Sequence, residues 1–290
     1  MKKILITGLN SYIGTSFEKW VSQYPNKYSI DRISVRGEEW KEKSFAGYDV
    51  VFHTAAVVHD LENDEAKYFE INKDLAVKVA KKAKQEGVRQ FIFLSTMGVY
   101  GAETGCITMD SFPKPKTLYA QSKYEAEQVL LDMIKGSFNV AILRPPIVYG
   151  KGCPGNYSRL ANMALKLPFF PDIDNKRSMI YIDNLSEFLR IIIDHGVGGI
   201  YFPQNKEYVN TTKLVKLIAN VNGKNLRVTK FFNWSFSIAL VLSKTFRKVL
   251  GTYIYDKKMP GSPGTLINGV RIEYETVSFK KSVVCTEGGE

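Results

Sequence analysis

The fold of this chain is decided by a short stretch near its start, Ile4-Leu5-Ile6-Thr7-Gly8-Leu9-Asn10-Ser11-Tyr12-Ile13-Gly14. The pattern indicates a strand, a tight turn and the first turn of a helix. At such a turn a pyrophosphate can rest on free backbone N–H groups, provided that the backbone comes close to it. Gly8 supplies the turn and Gly14 the close packing, but Ser11 replaces the usual middle glycine. The stretch alone therefore fits both a phosphate-binding turn and an ordinary strand-helix turn.

The same alternation continues through the first half of the chain. Short β-branched runs alternate with amphipathic patterns, which predicts an α/β fold of the Rossmann type, with a doubly wound, mostly parallel sheet covered by helices on both faces. The predicted strands are 4–7, 30–35, 50–53, 90–95 and 140–144, and the predicted helices are 13–24, 65–86 and 119–135.

Glycine and proline cluster at 150–155 and again at 260–264, where the rhythm changes. We expect residues 1–150 to form an NAD(P)-binding domain and residues 151–290 to form mainly a smaller C-terminal, substrate-binding lobe. Because residues 199–203 have the pattern of another strand, about 179–205 is expected to return to the main sheet. The apolar, basic-edged segment 234–250 is a helix candidate that either packs over the lobe or contacts a membrane surface.

The 290 residues carry 40 Lys and Arg against 29 Asp and Glu, a net charge of +11. The basic residues are scattered and accompany no helix-turn-helix, zinc-finger or RNA-binding signature, so no nucleic-acid partner is expected. Attraction of an anionic small molecule, together with solvated helix faces, accounts for the charge.

The first apolar stretch is too short for a secretory signal, and no other run approaches the ~20 residues that a membrane helix needs. The sequence thus predicts no stable membrane insertion. Three separated cysteines fit the reducing cytoplasm, and neither they nor the three histidines have metal-ligand spacing, so no metal is expected.

A second motif, Tyr119-Ala120-Gln121-Ser122-Lys123, puts a tyrosine and a lysine on one helix face. A phenol accepts a proton only if its anion is stabilised, and a neighbouring ammonium does this. Such a pair is common on protein surfaces, but here it follows a buried strand that ends in the hydroxyl residues Ser95 and Thr96, and Tyr119 lies 23 positions after Thr96.

In this order and spacing the motifs resemble the extended short-chain dehydrogenase/reductase family, which includes nucleotide-sugar epimerases, dehydratases and ketoreductases. The resemblance implies that Tyr119 transfers a proton, that Lys123 lowers its pKa and holds the nicotinamide ribose, and that Thr96 hydrogen-bonds the reacting oxygen. It also implies NADP(H) or NAD(H) as cofactor. The residues expected to bind it are Gly8, Asn10, Ser11, Tyr12, Ile13, Gly14, Arg36, His53, Ala55, Ala56, Asn72, Ser95, Tyr119, Lys123 and Pro146.

The choice between the two cofactors depends on the end of the second strand, where an acidic residue favours NAD and an arginine favours NADP. If the strand ends at Val35, the deciding position is Arg36, and NADP(H) is favoured. Counting onward from Gly14 instead reaches Asp31 and Arg32.

The resemblance implies a nucleoside-diphosphate sugar, in particular a UDP-hexose, as substrate, and a homodimer formed by the helices that carry Asn72 and Tyr119. Asn156 and Arg177 match residues that contact the diphosphate, and a guanidinium fork suits that task. Thr96 is expected to contact the sugar.

The predicted reaction is hydride transfer at C4 of the sugar, and Arg36 tilts the prediction toward reduction of a 4-keto sugar nucleotide. The alternative is a UDP-hexose 4-epimerase with tightly held NAD. A more distant one is a dinucleotide-binding sensor without catalysis. A dehydratase is disfavoured, because Met97 and Gly98 follow Thr96 where that reaction needs a carboxylate.

Overall fold

The computed structural model describes residues 1–58, 64–230 and 250–288. In its first half strands and helices alternate. The elements are β1 (Lys2–Thr7), α1 (Tyr12–Val21), β2 (Tyr28–Ile33), β3 (Val50–His53), α2 (Glu65–Phe69), a π-helical turn (Glu70–Leu75), α3 (Ala76–Gln85), β4 (Gln90–Leu94), β5 (Gly105–Ile107), α4 (Leu118–Asp132), β6 (Asn139–Leu143) and β7 (Ile147–Tyr149), with 3₁₀ turns at Glu39–Lys41 and Met97–Tyr100.

The second half contains shorter strands between longer helices. Its elements are α5 (Asn156–Lys166), β8 (Phe169–Pro171), β9 (Met179–Tyr181), α6 (Ile182–His195), β10 (Gly199–Tyr201), α7 (Thr211–Val221), β11 (Arg227–Thr229), β12 (Tyr253–Tyr255), β13 (Leu266–Ile267), β14 (Val270–Arg271) and α8 (Phe279–Glu287).

Six parallel strands form the central sheet in the order β10-β6-β4-β3-β1-β2, which confirms the predicted doubly wound fold. The chain leaves β1 toward β2 on one side and then enters β3 on the other side. The carboxyl ends of β1 and β3 therefore flank the point where the strand order reverses, which is where open α/β sheets bind ligands.

Both faces of the sheet are buried, because successive side chains of a strand point to opposite faces. Ile4 and Ile6 pack with apolar residues of α1 and α6, whereas Leu5 packs with the alanine-rich face of α3 and with α4. Strands buried on both faces read as continuous apolar runs, as the sequence does at Ile4–Ile6.

The C-terminal segment reaches back to the sheet. β12 pairs with β5, and a small apolar cluster joins Tyr253 and Tyr255 to Met97 and Val99 of the 3₁₀ turn that follows β4. β9 pairs with β7 in a separate two-stranded sheet, whereas β10 is the edge strand of the central sheet. Residues of the second half thereby come close to the end of β4.

Several boundaries differ from those predicted. β2 ends at Ile33 and not at Val35, because β1 turns away at Gly8, whose N–H donates to the carbonyl of Ile33 at 3.0 Å, and leaves later residues no strand to pair with. The predicted continuous helix 65–86 contains the π-helical turn, and the predicted helix 119–135 ends at Asp132.

Within the described residues, every helix is too short or too polar to cross a membrane. The candidate helix 234–250 lies outside the described residues apart from Leu250. The cytoplasmic location remains a prediction from the sequence.

Candidate active site

The turn after β1 requires glycine at its first position. Gly8 has φ +122°, and a Cβ there would lie 2.6 Å from Thr54 Oγ1 and 2.9 Å from the backbone nitrogen of Ala55. Only a residue without a side chain fits so close to the end of β3. Gly14 packs α1 against the sheet, since a Cβ there would lie 3.0 Å from Ile6 Cγ2.

Helix α1 begins with two unpaired backbone donors beside this turn. Ser11 is the N-cap, and its Oγ accepts the N–H of Gly14 at 3.3 Å. The N–H groups of Tyr12 and Ile13 have no partner among the described residues, so the start of α1 can bind an anion. Ser11 has φ −65°, which any residue adopts, so the backbone conformation at this position does not require glycine.

The segment after β3 lies directly beside this turn. The N–H groups of Thr54 and Ala55 both donate to the carbonyl of Thr7 at 2.9 Å. Ala55 is half-buried and Ala56 exposed, as is Asn10 in the glycine turn. The close backbone approach, the free donors and the small side chains together fit a dinucleotide at the switch point of the sheet.

His53 lies below this crevice and not on its surface. Its ring is fully buried between Phe91 and Phe93, and Nδ1 is 2.7 Å from Thr7 Oγ1. Burial, and then the charge of Lys123, lowers the pKa of His53 to about 3. The neutral imidazole therefore packs under the cofactor crevice, and of the segment 53–56 only the later residues line it.

The predicted catalytic hydroxyl and the start of α4 meet at the carboxyl end of β4. Thr96 follows this strand and begins the 3₁₀ turn, where its Oγ1 accepts the N–H of Gly98 at 3.0 Å. Gly98 faces α4, because a Cβ on it would lie 3.8 Å from Ala120 Cβ. Tyr119, the neighbour of Ala120, is half-buried in the same region.

Lys123 is buried one helical turn beyond Tyr119. Its Nζ donates to the carbonyl of Leu94 at 2.8 Å and lies 4.4 Å from the centre of the Phe93 ring. Burial lowers the pKa of Lys123 to about 7, against the opposing effect of Glu127.

The predicted lowering of the Tyr119 pKa by Lys123 is not seen in the structure. Burial raises the pKa of the Tyr119 phenol to about 12. The reason is that the lysine donates to the Leu94 carbonyl at the end of β4, while no hydrogen bond joins the two side chains within the described part of the chain.

Asn72 connects the cofactor crevice to the catalytic helix. It is fully buried in the π-helical turn, and its amide exchanges hydrogen bonds of 2.9 and 3.0 Å with the backbone of Val57. Its Nδ2 also donates to Ser122 Oγ at 3.1 Å. Asn72 thus fixes α4 relative to the loop after β3, and its amide is occupied by protein groups.

A buried polar cluster behind the site was missed by sequence reasoning. Glu127 accepts hydrogen bonds from Ser95 Oγ and from the guanidinium of Arg144, whose NH1 donates to Tyr100 Oη at 2.9 Å. Ser95, expected to face the cofactor, is therefore bound to Glu127. Pro146, also expected at the cofactor, is buried in the connection between β6 and β7. The available signal was the spacing of Glu127, four residues after Lys123.

The two predicted diphosphate ligands lie in different environments. Asn156 is exposed and is the first residue of α5. Arg177 is only 7% exposed, and its NH1 donates to the carbonyl of Gly251 at 2.9 Å. Among the described residues no carboxylate pairs with it, and burial lowers the pKa of Arg177 to about 10. Its backbone neighbour Tyr253 donates from its hydroxyl to the carbonyl of Met97 at 3.2 Å, which links Arg177 to the end of β4.

The end of β2 carries two arginines in different states. Arg32 donates to the carbonyl of Leu9 at 2.6 Å and pairs with Glu18 at 2.7 Å, beneath the glycine turn. Arg36 is exposed three residues beyond the strand, whose last residue is Ile33. The premise that put Arg36 directly at the strand end was therefore wrong, and Ser34 occupies that position.

Comparison with known proteins agrees with this geometry. Residues 4–202 match the NAD-dependent epimerase/dehydratase family. The chain belongs to this family. It is 30% identical to the UDP-glucose 4-epimerase of Vibrio cholerae over 99% of this chain and 93% of that protein. It is 25% identical to the N-acetyl-alpha-D-glucosaminyl-diphospho-ditrans,octacis-undecaprenol 4-epimerase of Escherichia coli O157:H7 over 73% of this chain and 70% of that protein.

Solved structures share the fold at lower identity. The UDP-glucuronic acid 4-epimerase from Bacillus cereus in complex with NAD superposes with a TM-score of 0.74 and 18% identity, over 98% of this chain and 97% of that one. RMD from Pseudomonas aeruginosa complexed with NADPH gives a TM-score of 0.65 and 21% identity, over 79% and 87%. The predicted family and NAD(P)-dependent enzyme class are confirmed, and a nucleotide-sugar 4-epimerase or related reductase is supported.

Proposed function

We propose that this enzyme is a UDP-hexose 4-epimerase that uses Tyr119, Lys123 and Thr96. The observation that carries the proposal is the convergence of these residues on the end of β4, beside a crevice suited to a dinucleotide. Arg177, a buried arginine without a carboxylate partner in the described structure, is linked to that strand end through Tyr253. The arrangement provides one place for proton transfer and one for an anionic substrate group.

The residues divide the chemistry as follows. A bound nicotinamide supplies reversible hydride transfer at C4. Tyr119 takes the proton from the oxygen on C4 and returns it, and Thr96 donates a hydrogen bond to that oxygen. Lys123 supplies positive charge beside the phenol, which favours its ionised form once the crevice is closed by substrate.

Arg177 supports a diphosphate substrate because a buried positive charge with no opposite charge beside it in the described residues is costly. A diphosphate would supply the missing negative charge and accept more than one guanidinium hydrogen bond. Asn156, at the start of α5, adds an exposed amide at a helix N-terminus, where anions are favoured.

Coverage of the chain favours epimerisation over reduction. Two 4-epimerases, from Vibrio cholerae and Bacillus cereus, align with 99% and 98% of this chain, whereas the NADPH-bound RMD structure aligns with 79%. The coverage therefore supports an epimerase, whereas the sequence prediction from Arg36 favours a reductase.

Reduction of a 4-keto sugar nucleotide is the second candidate, and two observations favour it. Residues 34–37, which follow β2, include no acidic side chain, and the exposed Arg36 among them is compatible with the 2′-phosphate of NADP(H). Tyr119, with its pKa raised to about 12, is protonated at neutral pH and ready to donate a proton to a ketone.

The decisive experiment is to denature the purified enzyme, identify any released nicotinamide, and assay UDP-glucose and UDP-N-acetylglucosamine without added cofactor. Released NAD with cofactor-independent interconversion supports the epimerase. If the enzyme does not interconvert the sugars but reduces a 4-keto sugar nucleotide with NADPH, the reductase is supported and the epimerase is contradicted.

Replacement of Tyr119 by Phe is the matched control for that assay. It should lower turnover by about 10²–10⁴-fold, because the proton-transfer group is lost, while cofactor binding is retained. Near-normal turnover of the Phe variant would remove Tyr119 from the mechanism.

We also propose a homodimer formed by α4 and the helices around Asn72, in which the two copies meet through polar side chains and not through an apolar surface. In residues 64–86 and 118–132 no large apolar side chain is among the most exposed, so this surface would offer mainly polar groups to a second copy. Light scattering at micromolar concentration tests it, and a monomeric mass would contradict it.

A further inference from the structure

Glu127 is a buried carboxylate on the same face of α4 as the catalytic pair. It is 0% exposed and lies one helical turn beyond Lys123. Its Oε1 accepts from Ser95 Oγ, and Arg144 donates to it from Nε at 3.1 and 3.2 Å and from NH2 at 2.5 Å. One side chain thus joins α4 to the ends of β4 and β6.

The segment that Glu127 holds is the one on which the site is built. Ser95 lies between Leu94, whose carbonyl accepts a hydrogen bond from the Lys123 ammonium, and Thr96, whose hydroxyl accepts the N–H of Gly98 at the start of the 3₁₀ turn. A shift of Ser95 would move both neighbours. Glu127 therefore controls the position of two functional groups without facing the crevice itself.

The charges around Lys123 give Glu127 a second effect. From α4 itself, Tyr119 and Glu127 are the titratable neighbours; from β3, His53 lies close but is neutral, with its pKa lowered to about 3. β4 contributes the Phe93 ring and the Leu94 carbonyl, and β6 contributes Arg144, which is bound to Glu127. Among these groups Glu127 is the only carboxylate.

We propose that Glu127 is a positioning residue, which fixes the end of β4 through Ser95 and supplies the negative charge that compensates the buried ammonium of Lys123. The catalytic meaning rests on the proposed function, but the charge relation is a property of the folded chain. It can be tested without substrate.

The test compares Glu127→Gln with the unchanged chain in two backgrounds, one with Lys123 and one with Lys123→Met. Glu127→Gln keeps the shape and removes the charge. The free energy of unfolding is measured between about pH 5.5 and 9, where the unfolded chain holds the lysine proton. Because the folded pKa of Lys123 is about 7 against an ordinary 10.5, stability rises with pH above the folded value.

Loss of the carboxylate should lower the folded pKa of Lys123 further, by about one unit or more. The free energy of unfolding of Glu127→Gln should then fall further below that of the unchanged chain near pH 5.5 than near pH 9. In the Lys123→Met background the deficit should be the same at both values. Equal deficits in the Lys123 background, or the same pH dependence in both backgrounds, would overturn the proposal.

A purely structural role is separated by activity. In Glu127→Gln the alkaline limb of kcat/KM should move to lower pH by about one unit, whereas Glu127→Asp, which keeps the charge, should leave the limb in place despite poorer packing. If the unmodified enzyme converts no tested sugar nucleotide, the proposed function fails while the stability comparison still decides this inference.

The double variant Glu127→Leu/Arg144→Met covers the case in which Glu127→Gln does not fold, since an apolar replacement of a buried ion pair is often tolerated. Its stability should rise more steeply between pH 5.5 and 9 than that of the unchanged chain, as in the single variant. A native pH response in a stable double variant would overturn the proposal.

Discussion

Two buried arginines in this enzyme are held in opposite ways. Arg144, 4% exposed at the end of β6, has Glu127 on one edge of its guanidinium and the Tyr100 hydroxyl on another. Arg177, 7% exposed before β9, has the carbonyl of Gly251 and, within residues 1–58, 64–230 and 250–288, no carboxylate.

The difference is consistent with a structural role for Arg144 and with the diphosphate-binding role proposed for Arg177. Burial alone lowers the pKa of either arginine, but the hydrogen bonds and charge of Glu127 reverse this for Arg144, whose pKa is raised, whereas the pKa of Arg177 is lowered to about 10. An uncompensated buried charge is costly and is expected where a ligand completes it. The pairing of each arginine thus indicates its role.

Replacement of each arginine by methionine should have unequal effects on stability. Arg144→Met leaves Glu127 buried without its partner and should lower the free energy of unfolding by about 3–5 kcal/mol. Arg177→Met removes an uncompensated charge and should leave it unchanged or raise it. Urea unfolding of both variants measures this, and equal losses would break the comparison.

Binding should rank the two variants in the reverse order. Arg177→Met should weaken UDP binding by about 1.5–3 kcal/mol, roughly tenfold or more, because charge-assisted hydrogen bonds to the diphosphate are lost. Arg177→Lys keeps the charge but not the fork, and should fall between. Isothermal titration measures both, with the nicotinamide affinity as the control; UDP affinity that is insensitive to Arg177 would assign the diphosphate elsewhere.

Local motifs made the glycine turn after β1 and the catalytic face of α4 predictable from the sequence. Gly8, with its strand and helix, and the Tyr119–Lys123 spacing each act within a few residues, so their placement follows from backbone geometry. The end of β2 could not be found in this way. It depends on where β1 turns away, and the apolar Val35, buried beyond the strand, gave no sign of that.

The buried polar cluster around Glu127 and Arg144 could not be predicted from the sequence for a different reason. Glu127 and Arg144 lie on α4 and β6, and only the packing of that helix on the sheet brings them together. Their pairing is a tertiary fact, although the position of Glu127 on the catalytic face of α4 was visible. The same holds for Asn72, whose partners Val57 and Ser122 are on other elements.

His53 extends the comparison to a buried base that is kept neutral and that no carboxylate contacts within the described residues. Its folded pKa of about 3 lies below its ordinary 6.5, so the unfolded chain binds the proton first as the pH falls. Stability should therefore drop from about pH 6.5 downward, by up to about 1.4 kcal/mol per pH unit from this residue. The slope between about pH 6.5 and 5 should be shallower in His53→Asn; equal slopes in chemical denaturation would mean that His53 is not the neutral group.

The smallest expected effect, that of replacing Ser11, distinguishes the two proposed anion sites. Arg177 would bind an anion through its side chain, whereas α1 would bind one through its backbone N–H groups. The Ser11 side chain caps α1 by accepting the N–H of Gly14. It does not bind the N–H groups of Tyr12 and Ile13, which have no partner among the described residues. Ser11→Ala should cost about 1 kcal/mol of stability and Ser11→Gly a few tenths, because glycine is a tolerable N-cap. Neither variant should change nicotinamide cofactor affinity measured by fluorescence titration. Since the φ of Ser11 is −65°, restoring the usual glycine relieves no strain. Tighter cofactor binding by Ser11→Gly would show that the serine side chain, and not only the backbone of α1, decides how closely the pyrophosphate approaches.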